Sequence, residues 1–190
     1  MKTLLIAFTL ITSVLFSQEL PSPLWSADVA HSNLGFKVKH KAISYTVGDF
    51  RDFELSVISA TDNFENAQIT MVIKTASINT ANKSRDEHLR SADFFDAEKH
   101  PEITFKSKKV TKNEDLTYSV LGDLSLHGVT KEITLSMTHN GTSKTRKGNE
   151  LAGLYFSTTF KRSDFLIGND MPISVVADEI KLNAEIEIVK

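Results

Sequence analysis

The chain contains no cysteine. Disulfides therefore cannot brace it, and burial of apolar surface has to hold the fold. Thiolate zinc ligands, a thiol nucleophile and the acylated cysteine of a bacterial lipoprotein are excluded with it. An excess of charge is also missing: 22 basic and 24 acidic side chains leave a formal net charge of −2. That balance does not fit a nucleic-acid binder. No long basic block suggests permanent adhesion to anionic lipid. Lys106, Lys108 and Lys109, the densest linear patch, read as a solvated strand face. Nor is there an apolar run of the ~20 residues that a transmembrane helix needs.

The nearest approach to such a run is N-terminal. Lys2 precedes an apolar stretch from Leu4 to Phe16, interrupted by Thr9, Thr12 and Ser13, and Ser17 supplies a small residue before Gln18. This is the layout of a cleaved signal peptide over residues 1–17. The expectation is a periplasmic or secreted protein, not lipid-anchored, with one domain over 18–190. The mature length suits a single core.

Beyond residue 20, period-two alternation dominates. Leu34, Phe36, Val38 and His40 share one parity; Ile69, Met71 and Ile73 share another; Tyr118 to Leu126, Ile133 to Met137, Leu154 to Phe160 and Ile180 to Ile188 repeat the pattern. Successive strand side chains point to opposite faces, so each series has one dry and one wet side. His127-Gly128 and Asn140-Gly141 read as tight hairpin turns, and residues 141–150 as an exposed loop. Asn82 to Phe95 lacks alternation and reads as one short helix, with Ser84 and Glu87 as a capping box. Leu89, Phe94 and Phe95 would anchor it on the sheet. Pro101 ends that segment and starts a strand.

Long strands with one dry face and a single helix must bury that face against themselves. The pattern predicts an all-β fold, a closed antiparallel barrel or sandwich of about eight strands. An eight-stranded barrel has an interior just wide enough to be filled or to hold one small ligand.

Several motifs, in order, resemble the YceI-like, polyisoprenoid-binding family. They are Trp25, Asp28, His31-Ser32 and Phe36-Val38-Lys39-His40; Gly48, Phe50 and Phe53; Ser77-Ile78-Asn79-Thr80; Arg85-Asp86-Glu87-His88-Leu89; Asp93-Phe94-Phe95-Asp96; Pro101 to Ser107; Gly122 to Lys131; and Arg162-Ser163-Asp164-Phe165. Leu166 to Asp170 departs from the family's usual turn. The resemblance implies an eight-stranded lipocalin-like barrel with an apolar tunnel for an isoprenoid-tailed lipid such as a polyisoprenoid or quinone, or a fatty-acid-like amphiphile. It implies no cofactor beyond such a lipid.

The expected tunnel lining is Phe36, Val38, His40, Ile69, Met71, Ile73, Phe105, Leu124, Leu126, Phe156, Phe160, Leu182 and Ile186. Arg85 and His88, three apart on one helix face, are candidates for a head group or the mouth. The favoured alternative is that Arg85 pairs with Asp86, Asp93 or Asp96 and pins the helix across the barrel mouth. The six histidines show no His-x-His and no i,i+4 pair, so no metal site is expected. No Gly-x-Ser-x-Gly elbow or phosphate loop marks an enzyme, and no catalytic residue is assigned. The reading is a carrier that makes transient membrane contact and is compatible with a homodimer. The alternatives are a solid barrel acting as a protein-binding or structural envelope module, and a lipid-modifying enzyme.

Overall fold

The computed structural model describes residues 24–59, 63–115 and 117–190. The expected leader, residues 1–17, lies outside them. The described strands are β1 Leu24–Ala27, β2 Asn33–His40, β3 Ser44–Phe50, β4 Phe53–Ile58, β5 Gln68–Lys74, β6 Ile78–Asn79, β7 Glu102–Lys112, β8 Thr117–Leu126, β9 Val129–Lys144, β10 Glu150–Lys161 and β11 Val176–Val189. All their pairings are antiparallel.

β1 and β2 are two stretches of one bent strand lying along β11. Ser26 faces Val189 near one end and His40 faces Val176 near the other. A 3-10 turn at Val29–His31 makes the bend. β3 and β4 form a second bent strand, interrupted at Arg51 and Asp52. With each bent pair counted once and the two-residue β6 set aside as an appendage of β3, the sheet closes as eight strands, since β1 bonds both β4 and β11. Closure removes the edges of β1 and β4, while β3 keeps residues 44–48 without a strand partner on the side away from β2 among the described residues. The expected all-β, eight-stranded barrel is the observed fold.

Alternation places the core. On β8, Tyr118, Val120, Gly122, Leu124 and Leu126 are buried between half-buried neighbours. Gly122 is required there: a Cβ would lie 2.5 Å from the Lys106 carbonyl oxygen and 2.6 Å from the Phe105 ring. His127 and Gly128 make the expected tight turn, both with positive φ (52° and 75°).

Two local expectations change. Asn140-Gly141 is not a turn. β9 runs through it, and the register against β10 jumps between Gly153 and Leu154, leaving Asn140 as the extra residue of a bulge. The chain reverses over 145–149, where the Thr145 N–H donates to the Asn149 carbonyl, and residues 142–144 are strand. The helix, α1, spans Lys83–Arg90, and its cap is Asn82, whose side chain accepts from the Arg85 N–H at 3.0 Å. Ser84 falls inside the first turn, so the Ser84–Glu87 box does not form. Residues 91–100 continue as turns; the Phe95 N–H donates to the Leu89 carbonyl and that of Ala97 to Arg90.

The barrel has two unlike halves. At one end Trp25, Phe64, Tyr118, Met137, Leu154 and Ile188 are buried to 3% exposure or less and fill the lumen. Trp25 and Phe64 rings meet at 5.8 Å, and Phe64 stands edge-on to His139 at 5.0 Å. The other end, which carries α1 and the 3-10 turn Arg162–Phe165, is hollow.

Candidate functional site

The hollow half encloses a cavity that offers about 120 Å³ to the centres of water-sized atoms, within about 1150 Å³ of atom-free space that includes its open mouth. The wall is built from the inward parity of the strands. Phe36, Val38, Ile69, Met71, Ile73, Phe105, Leu124, Leu126, Phe156, Phe160 and Leu182 all line it. Two expected liners do not. Ile186 is 2% exposed but lies toward the filled half, because parity fixes the face of a strand and not the depth along the barrel. His40 sits half-buried at the end of β2, paired with Ser44 and Val176, and is not on the cavity wall.

α1 and the turns after it close one side. The Arg85 guanidinium donates to the Thr80 hydroxyl at 2.7 Å and to its carbonyl at 2.8 Å. The buried Asp86 carboxylate accepts from the Thr80 N–H at 2.8 Å and from its hydroxyl. Arg90 donates to the carbonyls of Ala76 and Ile78 at 2.7 and 2.9 Å. The helix is thus stitched to the segment just before it. Arg85 pins the helix as one reading held, but through Thr80 and not through Asp86, Asp93 or Asp96. His88 is half-exposed, 3.2 Å from Asp93 and edge-on to Phe94 at 5.0 Å. Neither Arg85 nor His88 lines the cavity; Leu89, Phe94 and Phe95 do.

The opposite rim is organised by Arg162, the first residue of the Arg162-Ser163-Asp164-Phe165 motif. It is 4% exposed. Every guanidinium N–H is spent on backbone: Nε on Ala177, Nη1 on Ile167 and Gly168, Nη2 on Met171 and Val176. The loop before β11 is gathered around one cation. Burial works against ionisation of neighbouring Asp178, yet hydrogen bonds from Ser163 at 3.0 and 2.9 Å and the Arg162 charge hold its carboxyl below the ordinary value. The turns after α1 meet this rim directly through Phe94. Gly168 leaves no room for a Cβ, which would lie 2.8 Å from the Phe94 ring, and the His127 ring donates to the Phe165 carbonyl at 3.1 Å.

Chemically the wall is almost inert. Thr158 carries its one hydroxyl, and that donates to the Thr134 carbonyl at 3.0 Å. The Arg162 donors are saturated. An apolar cavity of this size stays dry and accepts apolar matter.

One polar cluster was not visible in the spacing. Asp28, His31 and Glu187 bring ligand atoms within 4.8 Å of one another. Asp28 caps the 3-10 turn by accepting from the Ala30 N–H at 3.0 Å, and its other oxygen meets His31 at 2.9 Å. These contacts close the β1–β2 bend.

Comparison with known proteins agrees with this architecture. The model of the YceI-like domain matches residues 25–188. A UPF0312 protein of Staphylococcus aureus is 34% identical over 165 residues, 84% of this chain and 94% of its own. The crystal structure of the Campylobacter jejuni YceI protein is 36% identical, with a TM-score of 0.72, over 86% of this chain and 95% of that one. A polyisoprenoid binding domain from Saccharophagus degradans shares the fold, with a TM-score of 0.64 at 17% identity, over 87% of this chain and 97% of that one.

Proposed function

Because this chain belongs to the YceI-like domain family, we propose that it is an exported carrier holding the apolar tail of an isoprenoid-like or fatty-acid-like lipid in the hollow half of its barrel. One observation carries the reading: the lumen beside α1 is lined by aliphatic and phenyl groups that do not meet in the middle. A barrel packed solid from end to end would have supported a protein-binding or structural module instead. The wall supports binding over turnover, since its hydroxyl and its cation are both engaged by backbone carbonyls. Export rests on the leader pattern at 1–17.

Magnitudes shape the ligand. A cavity of about 150 Å³ holds one benzene ring, so the 120 Å³ here takes about six heavy atoms, or about one isoprene unit. Burying about six carbons gains about 5 kcal/mol gross. Micromolar affinity needs about 8 kcal/mol net, after the cost of ordering the tail. A tightly held lipid therefore extends beyond this volume, through the open mouth.

The test is native mass spectrometry of protein made by its own host, with solvent extraction of what stays bound. A reproducible adduct of lipid mass is expected. Bare protein, even after quinones and fatty acids are offered, would refute the carrier.

A further inference from the structure

The two most exposed large apolar side chains of the described residues are Ile43, at 86%, and Ile173, at 72%. Both belong to the rim of the hollow half. The β2–β3 turn that carries Ile43 is tied to the loop that carries Ile173 by the Lys41 N–H, which donates to the Val175 carbonyl at 2.9 Å. The next residue, Val176, pairs with His40 and lines the cavity. Exposed Leu166 stands one residue from cavity-lining Ile167 in the same loop, which Arg162 holds together.

Charge is arranged around these groups. Alternation turns Lys37 and Lys39 outward on β2, and Lys41 follows in the turn; all three are exposed, and none has a carboxylate partner among the described residues. Across the ladder Lys37 faces Val47 and Lys39 faces Tyr45, both exposed, and the Lys37 ammonium lies 5.5 Å from the Tyr45 ring. Exposed Asp170 lies in the facing loop, and Glu179 is paired with Lys181 at 3.4 Å. Interleaved lysines, a tyrosine and aliphatic tips suit the boundary between head groups and acyl chains.

We infer that this rim docks on an anionic lipid bilayer, with Ile43 and Ile173 entering the interface and Lys37, Lys39 and Lys41 over acidic head groups. The inference rests on the carrier reading above: a tail that leaves the bilayer through a docked mouth never crosses water. The linear sequence showed no basic block because the lysines are separated by inward-facing residues.

Co-sedimentation of the full chain with vesicles tests it, using phosphatidylcholine alone and phosphatidylcholine mixed with phosphatidylglycerol. Binding to the mixed vesicles is expected, weakening as salt rises. K37Q/K39Q/K41Q should lose about fivefold per lysine on mixed vesicles. I43S/I173S should bind both vesicle types less and extract a fluorescent long-chain fatty acid from them more slowly. Neither variant should change affinity for the same probe free in solution. Wild type that ignores mixed vesicles, or variants that bind them as wild type does, would overturn the docking. So would a patch that proves, by light scattering, to hold two copies of the chain together. Vesicle binding without any uptake of probe would uphold the docking and overturn the carrier.

Discussion

Gly48 stands opposite Phe36 across the β2–β3 ladder, and a Cβ at Gly48 would lie 2.6 Å from the tip of the Phe36 ring and 2.8 Å from the Thr80 methyl. The missing side chain is what lets the ring lie against the wall and leave the lumen open. Gly48→Ala should drive Phe36 into the cavity it lines. We expect a loss of about 1–3 kcal/mol in denaturant unfolding, as for overpacking elsewhere, together with weaker lipid retention. Gly153→Ala is the control, its nearest contact being the Asn140 Cβ at 3.5 Å. Equal retention by Gly48→Ala and wild type would show that Phe36 does not limit the channel.

The division into filled and hollow halves separates stability from binding. Leu154, 1% exposed in the filled half, packs where no space remains. Leu154→Ala should cost about 2–5 kcal/mol and leave retention of an apolar probe intact once the protein is folded. Leu182→Trp in the hollow half adds atoms to space, so the melting temperature should change little while probe binding is lost. If both variants lower stability and binding in step, the two halves are one cooperative core.

Arg162→Met tests the rim. It removes five hydrogen bonds, three to carbonyls of the loop before β11 and two to the first residues of β11. Each bond is worth about 1 kcal/mol net, and more where a carbonyl stays buried and unpaired. A loss of about 3–5 kcal/mol is expected, with faster proteolysis over 166–176. Lys in its place keeps the charge but has too few donors for five carbonyls, so Arg162→Lys should recover only part of the loss. A melting temperature unchanged in Arg162→Met would remove the residue from the fold's framework.

The sequence made the strands and their dry faces legible because alternation is local. Tyr118 to Leu126 can be read without knowing any partner. Depth along the axis is not local: Leu182 and Ile186 share a parity, yet only Leu182 reaches the cavity. Asn140-Gly141 misled for a related reason, since a bulge and a turn both use a glycine at positive φ (129° here), and only the register with β10 tells them apart. At the helix, Asn82 and Ser84 are both good caps, and the chain's exit from β6 decides for Asn82. The Thr80 anchor of Arg85 lay outside the acidic residues that spacing offered. Glu187 joins Asp28 and His31 only because the barrel closes.

That last cluster gives a pH prediction. Hydrogen bonding to Asp28, followed by its charge and that of Glu187, raises the His31 imidazole above its ordinary 6.5. The contribution of protonated His31 is therefore complete below 6.5 and is lost as pH climbs through the raised folded value. Asp28 moves the other way: its bond to His31 lowers it below 3.8, though burial opposes this. Its share is present above 3.8 and is lost as pH falls through the depressed value. Together they brace the β1–β2 bend most strongly in mildly acidic solution, about pH 5. His31→Asn should then show its largest deficit in melting temperature there, a smaller one well above neutrality, and a smaller one again in high salt, since His31 is exposed. A deficit that stays constant across this range would mean that the ring acts through packing alone, and that the bend owes nothing to the charge of His31.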